Sequence, residues 1–250
     1  MILSNNFVSF YLVFNPTENL FQMSFLSIVI PVYNEEENIS STLFRLQKTV
    51  MTPHEILIVY DFDEDNTLPV AKKFEVKCIK NLYKHGVLGA IKTGMEAARG
   101  DFVIVTMADN SDTPEDIDKM FQKAEKENLD IVCASRYMKG GHQIGGGFKK
   151  LLSMAAGLSL YWLGRLPTHD ATNSFKLYRK SFLEKQVIES PAGFSLGLEL
   201  VAKAYVQGLK ICEIPTIWQD RTNGKSRFRL LAWLPHYLKW YFYAWRGLFK

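Results

Sequence analysis

Five apolar runs occupy residues 26–32, 55–60, 76–79, 101–107 and 130–134, each followed by polar or amphipathic sequence. None shows the in–out alternation of a strand with one wet face. A strand that reads as continuously apolar is covered on both sides, the condition of a parallel sheet packed between helices. The intervening segments supply such helices. One opens at Asn34, with Glu35, Glu36 and Glu37 in its first turn, where the helix dipole favours carboxylates. A second spans 86–99 and stops before Gly100. A third starts at Pro114, whose fixed φ suits a first turn, and runs to about residue 127. Strand–helix alternation of this kind predicts an α/β fold with a doubly wound, mostly parallel sheet and helices on both faces.

Beyond Tyr137 the rhythm changes. A glycine-rich loop (Gly140, Gly141, Gly145, Gly146, Gly147) precedes an apolar helix over about 148–163. An extended piece at 175–178, a helix at 195–207 and a strand at 210–218 follow. No repeat or Pro/Ser linker interrupts the chain, and 250 residues suit one large domain with its own core. The three cysteines, Cys78, Cys133 and Cys212, lie in strand-like runs without CxxC spacing; they read as buried thiols of a reducing compartment, not zinc ligands. Residues 1–22 are apolar and aromatic but lack a basic start and an A-x-A site. They read as an N-terminal extension ahead of a domain over 23–230, not as a signal peptide.

In doubly wound sheets, ligands sit at the carboxyl ends of the strands. The polar residues of this chain gather there: Pro31-Val32-Tyr33-Asn34-Glu35 after the first run, Tyr60-Asp61-Phe62-Asp63-Glu64-Asp65 after the second, Ala108-Asp109-Asn110-Ser111-Asp112 after the fourth. Taken singly, each has an ordinary structural reading: Asn34 as a helix cap, the Asp61–Asp65 stretch as a solvated turn, Asp109 and Asp112 as caps of the Pro114 helix. Three acidic ends on one edge point to a cleft. No G-x-G-x-x-G follows the first strand and no G-x-x-x-x-G-K-[ST] occurs, so neither a dinucleotide site nor a P-loop is supported.

The segment Ser27-Ile28-Val29-Ile30-Pro31-Val32-Tyr33-Asn34-Glu35-Glu36 resembles the opening of family 2 glycosyltransferases of the GT-A fold, with dolichol-phosphate mannose synthases and bacterial polyprenyl-phosphate glycosyltransferases as the members it is most similar to. Further matches run in order through 59–67, 89–94, 108–115, Ser135-Arg136-Tyr137, 170–178 and 193–227, covering roughly residues 25–230. The resemblance implies a Rossmann-like GT-A domain with an N-terminal nucleotide half and a C-terminal acceptor half. It also implies a nucleotide-sugar donor, a polyprenyl-phosphate acceptor at the inner face of a membrane, and no nucleic acid partner; a homodimer stays open. Pro31, Tyr33, Glu35 and Asp61 are expected at the base and ribose, with Tyr60 replacing the first Asp of the family's Val-Asp-Asp. Lys92, Arg136, Lys149 and Ser153 complete the expected substrate contacts. Where the family shows Asp-x-Asp, this chain has Met107-Ala108-Asp109, so Mg²⁺ or Mn²⁺ is expected on Asp109, Ser111 and Asp112. Arg221 and Arg227, in Asp220-Arg221-Thr222-Asn223-Gly224-Lys225-Ser226-Arg227, are expected near the acceptor phosphate, with Lys150 beside Lys149. Asp170, in His169-Asp170-Ala171-Thr172-Asn173-Ser174-Phe175, is expected to organise the acceptor; His169 reads as structural. Two competing readings are a family 2 enzyme with a soluble or polysaccharide acceptor, and a nucleotide-sugar-binding homologue that has lost catalysis.

Net charge is only +4, but from Arg221 to Lys250 there are seven Lys/Arg and no Asp or Glu, which suits anionic partners. No stretch reaches the roughly 20 mostly apolar residues of a helical span. Pro235 is expected to start a C-terminal helix over 231–250, on which Lys239, Arg246 and Lys250 fall within about 40° of one another at 100° per residue. Trp240, Tyr241, Phe242, Tyr243, Trp245 and Phe249 surround them. Cations beside Trp and Tyr suit a headgroup layer; packing on the chain's own domain or on a second copy is the alternative.

Overall fold

The computed structural model describes residues 24–145, 147–191, 193–220 and 230–249. The N-terminal extension and the segment holding Arg221 and Arg227 lie outside them.

Nine strands and eight α-helices are described. β1 (Leu26–Pro31), β2 (His54–Tyr60), β3 (Lys77–Lys80) and β4 (Phe102–Val105) are linked by α1 (Glu36–Thr49), α2 (Thr67–Ala71) and α3 (Val87–Ala97). A 3₁₀ turn (Pro114–Asp116) leads into α4 (Ile117–Glu127), then β5 (Ile131–Ser135), β6 (His142–Ile144) and α5 (Gly147–Trp162). β7 (Lys176–Arg179), α6 (Lys180–Leu183), α7 (Gly193–Val206), β8 (Ile211–Pro215), β9 (Ile217–Gln219) and α8 (Leu230–Ala244) complete the order, with a last 3₁₀ turn at Trp245–Phe249. Seven strands form one sheet in the order β3-β2-β1-β4-β7-β5-β8. All its pairings are parallel except those of β7, which runs antiparallel to β4 and β5. The expected mostly parallel α/β sheet is therefore present.

The unbroken apolar runs have a physical cause in two separate cores. Ile28, Ile30, Ile56 and Ile58 face one side, packing with Ile39, Leu43 and Leu46 of α1 and Met120 and Phe121 of α4. Val29, Leu57 and Val59 face the other, against Ala90, Ile91 and Met95 of α3 and a group that includes Leu200 and Val201 of α7. Neither face meets water, so the residues along β1 and β2 are mostly apolar, and the buried Ser27 is held by hydrogen bonds, its hydroxyl donating to Glu55 and accepting the Gly100 N–H. On the second face α3 lies so close that a Cβ on Gly94 would come within 2.3 Å of Val29 Cγ1.

Several sequence expectations need correcting. The single strand over 210–218 is two: β8 ends at Pro215, which has no N–H to continue a ladder, and β9 pairs with β6 in a separate two-stranded parallel sheet. β6 lies inside the glycine-rich loop and carried no apolar run to reveal it. The short helices α2 and α6 were also not anticipated. Pro235 does not start the last helix but lies inside it, one turn past Leu230. α8 packs along α7, burying Trp240 and Ala244 in the second core. Trp240 Nε1 donates to Ser190 Oγ at 2.9 Å, and Lys239 pairs with Glu189 at 3.0 Å. Among the described residues no helix is long and apolar enough to cross a membrane.

Candidate functional site

β1, β2 and β4 are adjacent and parallel, so their carboxyl ends open on the same edge. The loops after β1 and β2 are welded together there. Asn34 sits in the left-handed region (φ 51°), which asparagine tolerates better than most residues. Its N–H donates to both oxygens of the buried Asp65 at 3.1 Å, and its Oδ1 accepts the Asn66 N–H at 3.2 Å. Asp65 also accepts the Thr67 N–H at 2.8 Å, and Thr67 Oγ1 accepts the Glu35 N–H at 2.9 Å. These bonds fix the backbone of Asn34 and Glu35, and the Glu35 carboxylate accepts from Asn38 Nδ2 at 2.9 Å. Tyr33 is exposed and meets Phe62 edge-on, ring centroids 5.3 Å apart.

The acidic stretch after β2 divides. Asp63 and Glu64 face solvent while Asp61 and Asp65 are buried. Asp61 accepts from Asn81 Nδ2 at 2.7 Å and from the Gly86 N–H at 2.8 Å, which fixes the entry to α3. Tyr60 packs toward the first core, on the face of Ile56 and Ile58. The missing first aspartate is thus replaced by a side chain that strand alternation turns inward. Pro31 is buried in β1 opposite Val59. Lys92 lies over the Tyr83 ring at 4.1 Å, and the Tyr83 hydroxyl donates to Glu96. The structure therefore joins Lys92 to the loop after β3.

The loop after β4 carries Asp109, Ser111 and Asp112. Asn110 is left-handed (φ 59°), and α1 braces the loop: Thr42 Oγ1 donates to the Ala108 carbonyl at 2.9 Å, and Asn110 Nδ2 donates to Ser41 Oγ at 2.7 Å. Asp109 Oδ1 accepts the Ser111 N–H at 3.1 Å. Asp112 is buried, with Oδ2 accepting from Thr106 Oγ1 at 3.0 Å and from the Met107 N–H at 3.1 Å. Burial, aided by the Asp109 charge, pushes its carboxyl up to about 6 against the pull of those donors and Arg136. The donor set is oxygen only, which suits Mg²⁺ or Mn²⁺. Among the described residues no group of three or more His, Cys, Asp or Glu stands together. The residues therefore fit an ion shared with a ligand's phosphates and not a cage built from protein alone.

Asp112 gives a pH prediction for the metal-free chain. Its folded pKa of about 6 exceeds the ordinary 3.8, so the folded state holds the proton more tightly than the unfolded. Its unfavourable contribution is absent below pH 4, grows as pH rises from 4 to 6, and is constant above. Asp112→Asn keeps an acceptor for Thr106 and Met107 and removes the charge. It is expected to stabilise the chain at pH 7.5 by on the order of 3 kcal/mol. Denaturant titrations in EDTA at pH 4 and pH 7.5 measure this; an equal effect at both would refute it.

Across the sheet edge, β5 ends at Ser135 and presents Arg136. Its Nε donates to Asp170 Oδ2 at 2.6 Å and its Nη2 to Asp170 Oδ1 at 2.9 Å, a two-pronged pair inside the protein. The Arg136 N–H adds a third bond to the same carboxylate at 3.1 Å, and the Asn173 N–H a fourth at 3.2 Å. Nη2 also reaches Ser153 Oγ at 3.2 Å and Thr172 Oγ1 at 3.4 Å. The guanidinium lies over the Tyr137 and Trp218 rings, at 4.9 and 5.7 Å. Burial alone would raise the Asp170 carboxyl, but the Arg136 charge and its bonds outweigh this and hold it below its ordinary value. Arg136, Ser153 and Asp170 are thus brought together, and Arg136 also acts electrostatically on Asp112. Lys150 Nζ donates to the Gln143 carbonyl at 2.8 Å. The Lys149 side chain, Arg221 and Arg227 lie outside the described residues. The described chain does reach Asp220 beside this edge, because the Gln219 N–H donates to the Ser111 carbonyl at 3.1 Å.

Sequence reading passed over Asp65, Thr67, Asn81 and Thr172. Asp65 had a signal in the acidic stretch, which reads equally as a solvated turn; Thr67 and Thr172 lie in the stretches 59–67 and 170–178, and Asn81 had none. A hollow lined by Gln47, His54, Ile56, Lys73, Phe74 and Glu75 opens near the amino end of β2, away from the acidic edge.

Comparison with known proteins identifies a family and the fold. Residues 27–187 match the family described as Glycosyl transferase family 2. A dolichol-phosphate mannosyltransferase of Pyrococcus furiosus is 30% identical over 86% of this chain and 64% of its own length. A polyprenol monophosphomannose synthase of Mycolicibacterium smegmatis is 29% identical over 80% of this chain and 79% of its own. A dodecaprenyl-phosphate galacturonate synthase of Rhizobium johnstonii is 27% identical over 81% and 61%. The chain thus spans about two thirds of the length of the Pyrococcus and Rhizobium relatives. Among solved structures, glucosyl-3-phosphoglycerate synthase of Mycobacterium tuberculosis, in complex with Mn²⁺, UDP-glucose and phosphoglyceric acid, superposes with a TM-score of 0.69 at 15% identity, covering 89% of this chain and 80% of that one. A complex of the same enzyme with Mg²⁺ and UDP gives 0.65 at 16%, covering 86% and 76%.

Proposed function

Because the chain belongs to glycosyl transferase family 2, we propose that it transfers a hexose from a UDP- or GDP-sugar to a polyprenyl phosphate at a membrane surface, with inversion at the anomeric carbon. The observation that carries this reading is the charge layout of one sheet edge. Acidic loops end β2 and β4, and the buried guanidinium of Arg136 ends β5, close enough to act on Asp112. Donor diphosphate and acceptor phosphate are both anions, and such an edge can hold them side by side.

Tyr33, Glu35 and Asp61 line the base and ribose side in this reading. Asp109, with Asp112, would hold Mg²⁺ or Mn²⁺ on the diphosphate, where a divalent ion supplies neutralisation of the charge that develops on the leaving nucleotide. Arg136 and Ser153, with Arg221 and Arg227, receive the acceptor phosphate. A phosphomonoester loses its second proton near about pH 6, so its oxygen is already nucleophilic at neutral pH. That oxygen forms a bond to the anomeric carbon while the bond from that carbon to the diphosphate breaks, and the electron pair leaves with the nucleotide. No general base is required. Asp170, committed to Arg136 and held below its ordinary pKa, is a positioning residue for that arginine.

Exposed apolar side chains support the membrane surface as partner. Leu234, Leu238 and Phe242 repeat every four residues on α8, and Leu151, Leu152 and Trp162 are exposed on α5. The two helices adjoin, with Ser159 and Tyr241 hydroxyls 3.0 Å apart. Arg246 lies over the Tyr243 ring nearby at 5.2 Å.

The test is transfer of radiolabelled sugar from nucleotide-sugars to undecaprenyl or dolichyl phosphate in vesicles, read in the organic extract. A lipid-soluble product that needs Mn²⁺ or Mg²⁺ supports the reading. Label found only in water-soluble glycan overturns the lipid acceptor, and donor binding without turnover overturns catalysis. Leu238→Asp with Phe242→Asp is expected to lower sedimentation with anionic vesicles at least tenfold while leaving nucleotide binding unchanged. Unchanged sedimentation would remove α8 from the membrane surface.

A further inference from the structure

Two charged side chains converge on the loop 168–173 from strands on which the reaction makes no direct demand. Lys176 of β7 is fully buried, and its Nζ donates to the carbonyls of Ala171, at 3.2 Å, and Asn173. Glu213 of β8 has a side chain only 11% exposed. Its Oε2 accepts the His169 N–H at 2.8 Å and Thr168 Oγ1 at 3.2 Å, and its Oε1 lies 2.5 Å from His169 Nδ1. Thr168 Oγ1 in turn accepts the Asp170 N–H at 3.1 Å. An acid therefore holds donors at the start of the loop, and an ammonium holds carbonyls at its end. Asp170 lies between them.

α5 closes the loop from the other side. Tyr161 stacks on the His169 ring, centroids 3.6 Å apart, and a Cβ on Gly157 would come within 2.2 Å of the His169 carbonyl oxygen. Ser153, one turn before Gly157, contacts Thr172 at 2.5 Å and Arg136 at 3.2 Å. A loop clasped by two opposite charges and a helix backbone has little freedom, so the direction of the Asp170 carboxylate is set.

Burial disfavours the charged form of Lys176 and lowers its pKa, so a lysine here costs stability that a well-packed apolar side chain would not. Stability alone thus gives no reason to place Lys176 where Leu177 and Tyr178 are its strand neighbours. Charge-assisted bonds to loop carbonyls do give a reason, because they fix geometry as well as energy. We propose that Glu213 and Lys176 are positioning residues that lock the loop 168–173, so that Asp170 aims Arg136 at the acceptor phosphate. This rests on the acceptor side assigned above.

The experiment measures transfer from nucleotide-sugar to undecaprenyl phosphate by Glu213→Ala, Glu213→Gln and Lys176→Met, alone and combined with Asp170→Asn. Glu213→Ala and Lys176→Met are each expected to lower kcat/KM for the lipid phosphate roughly tenfold to a hundredfold, as misplacement of a reacting group by about 1 Å does. The KM for nucleotide-sugar should stay within twofold. Glu213→Gln, which keeps an acceptor for the His169 N–H, should recover most of the loss. Added to Asp170→Asn, neither Glu213→Ala nor Lys176→Met should have a further effect, because each acts through that residue. Losses that multiply, or that fall equally on donor and acceptor, would overturn the proposal. Each of the two variants carries the test independently, so one that does not fold leaves the other. A wild-type chain that transfers nothing to lipid phosphate counts against the acceptor reading; one that transfers, with both variants equal to it, counts against the positioning pair alone.

Discussion

Asp109→Ala is expected to abolish divalent-dependent donor binding and to lower kcat/KM by about a thousandfold. The size follows from what the residue is asked to do. In the proposed transfer, negative charge builds on the nucleotide as its bond to the anomeric carbon breaks, and loss of one dedicated stabiliser of such charge commonly costs about 10²–10³ in rate. Here the loss should be at the upper end, because Met107 stands where a second carboxylate would share the load and Asp112 spends Oδ2 on Thr106 and the Met107 N–H. Calorimetric titration with UDP- or GDP-sugar, with Mn²⁺ and then with EDTA, separates the outcomes. Wild-type binding should fall on chelation, and Asp109→Ala should bind as the chelated wild type does. Undiminished Mn²⁺-dependent binding by the variant would move the ion elsewhere.

Arg136→Met is expected to be the most damaging single change on the acceptor side, with transfer lowered at least a hundredfold and donor binding retained. It also leaves Asp170 fully buried without its partner, and breaking such a pair by removing one member costs about 3–5 kcal/mol. The pH dependence of the loss has a definite sign. In the wild type, the Asp170 pKa lies below its ordinary value because Arg136 overcomes the effect of burial. The stabilisation from the pair is present above the ordinary carboxyl range and lost as pH falls through the folded pKa. The gap in stability between wild type and Arg136→Met should therefore narrow as pH drops from 7 to 3. Arg136→Lys keeps the charge but not the two-pronged geometry, and should recover stability at neutral pH more fully than transfer. A lysine variant with full transfer would show that charge alone suffices there.

Much of the fold was legible because burial on both faces writes itself into consecutive residues. The runs beginning at Leu26, Glu55 and Asp130 became β1, β2 and β5 within a residue or two, and the polar strand ends mark the edge where the loops after β1, β2 and β4 meet. What went unread has a different kind of signal. β6 is three residues in a glycine-rich loop, and α2 is a five-residue helix beside an acidic turn; neither is long enough to show a period. The aromatic segment after Pro235 could serve a membrane, a partner or the chain's own core, since one amphipathic pattern suits all three. The structure assigns Trp240 and Ala244 to the core and leaves Leu234, Leu238 and Phe242 outside.

The strand–helix alternation and the acidic sheet edge were determined by the sequence alone, because hydrophobic periodicity and turn chemistry act between near neighbours. The pairings that give the site its geometry were decided only by tertiary structure. Asn34 meets Asp65 across 31 positions, Arg136 meets Asp170 across 34, and His169 meets Glu213 across 44. A hydrogen bond at that separation depends on loop closure and strand order, and nothing in either residue's own neighbourhood records its partner. Burial then decides the chemistry. Asp112 is pushed up and Asp170 held down by their surroundings, although both are aspartates in polar sequence.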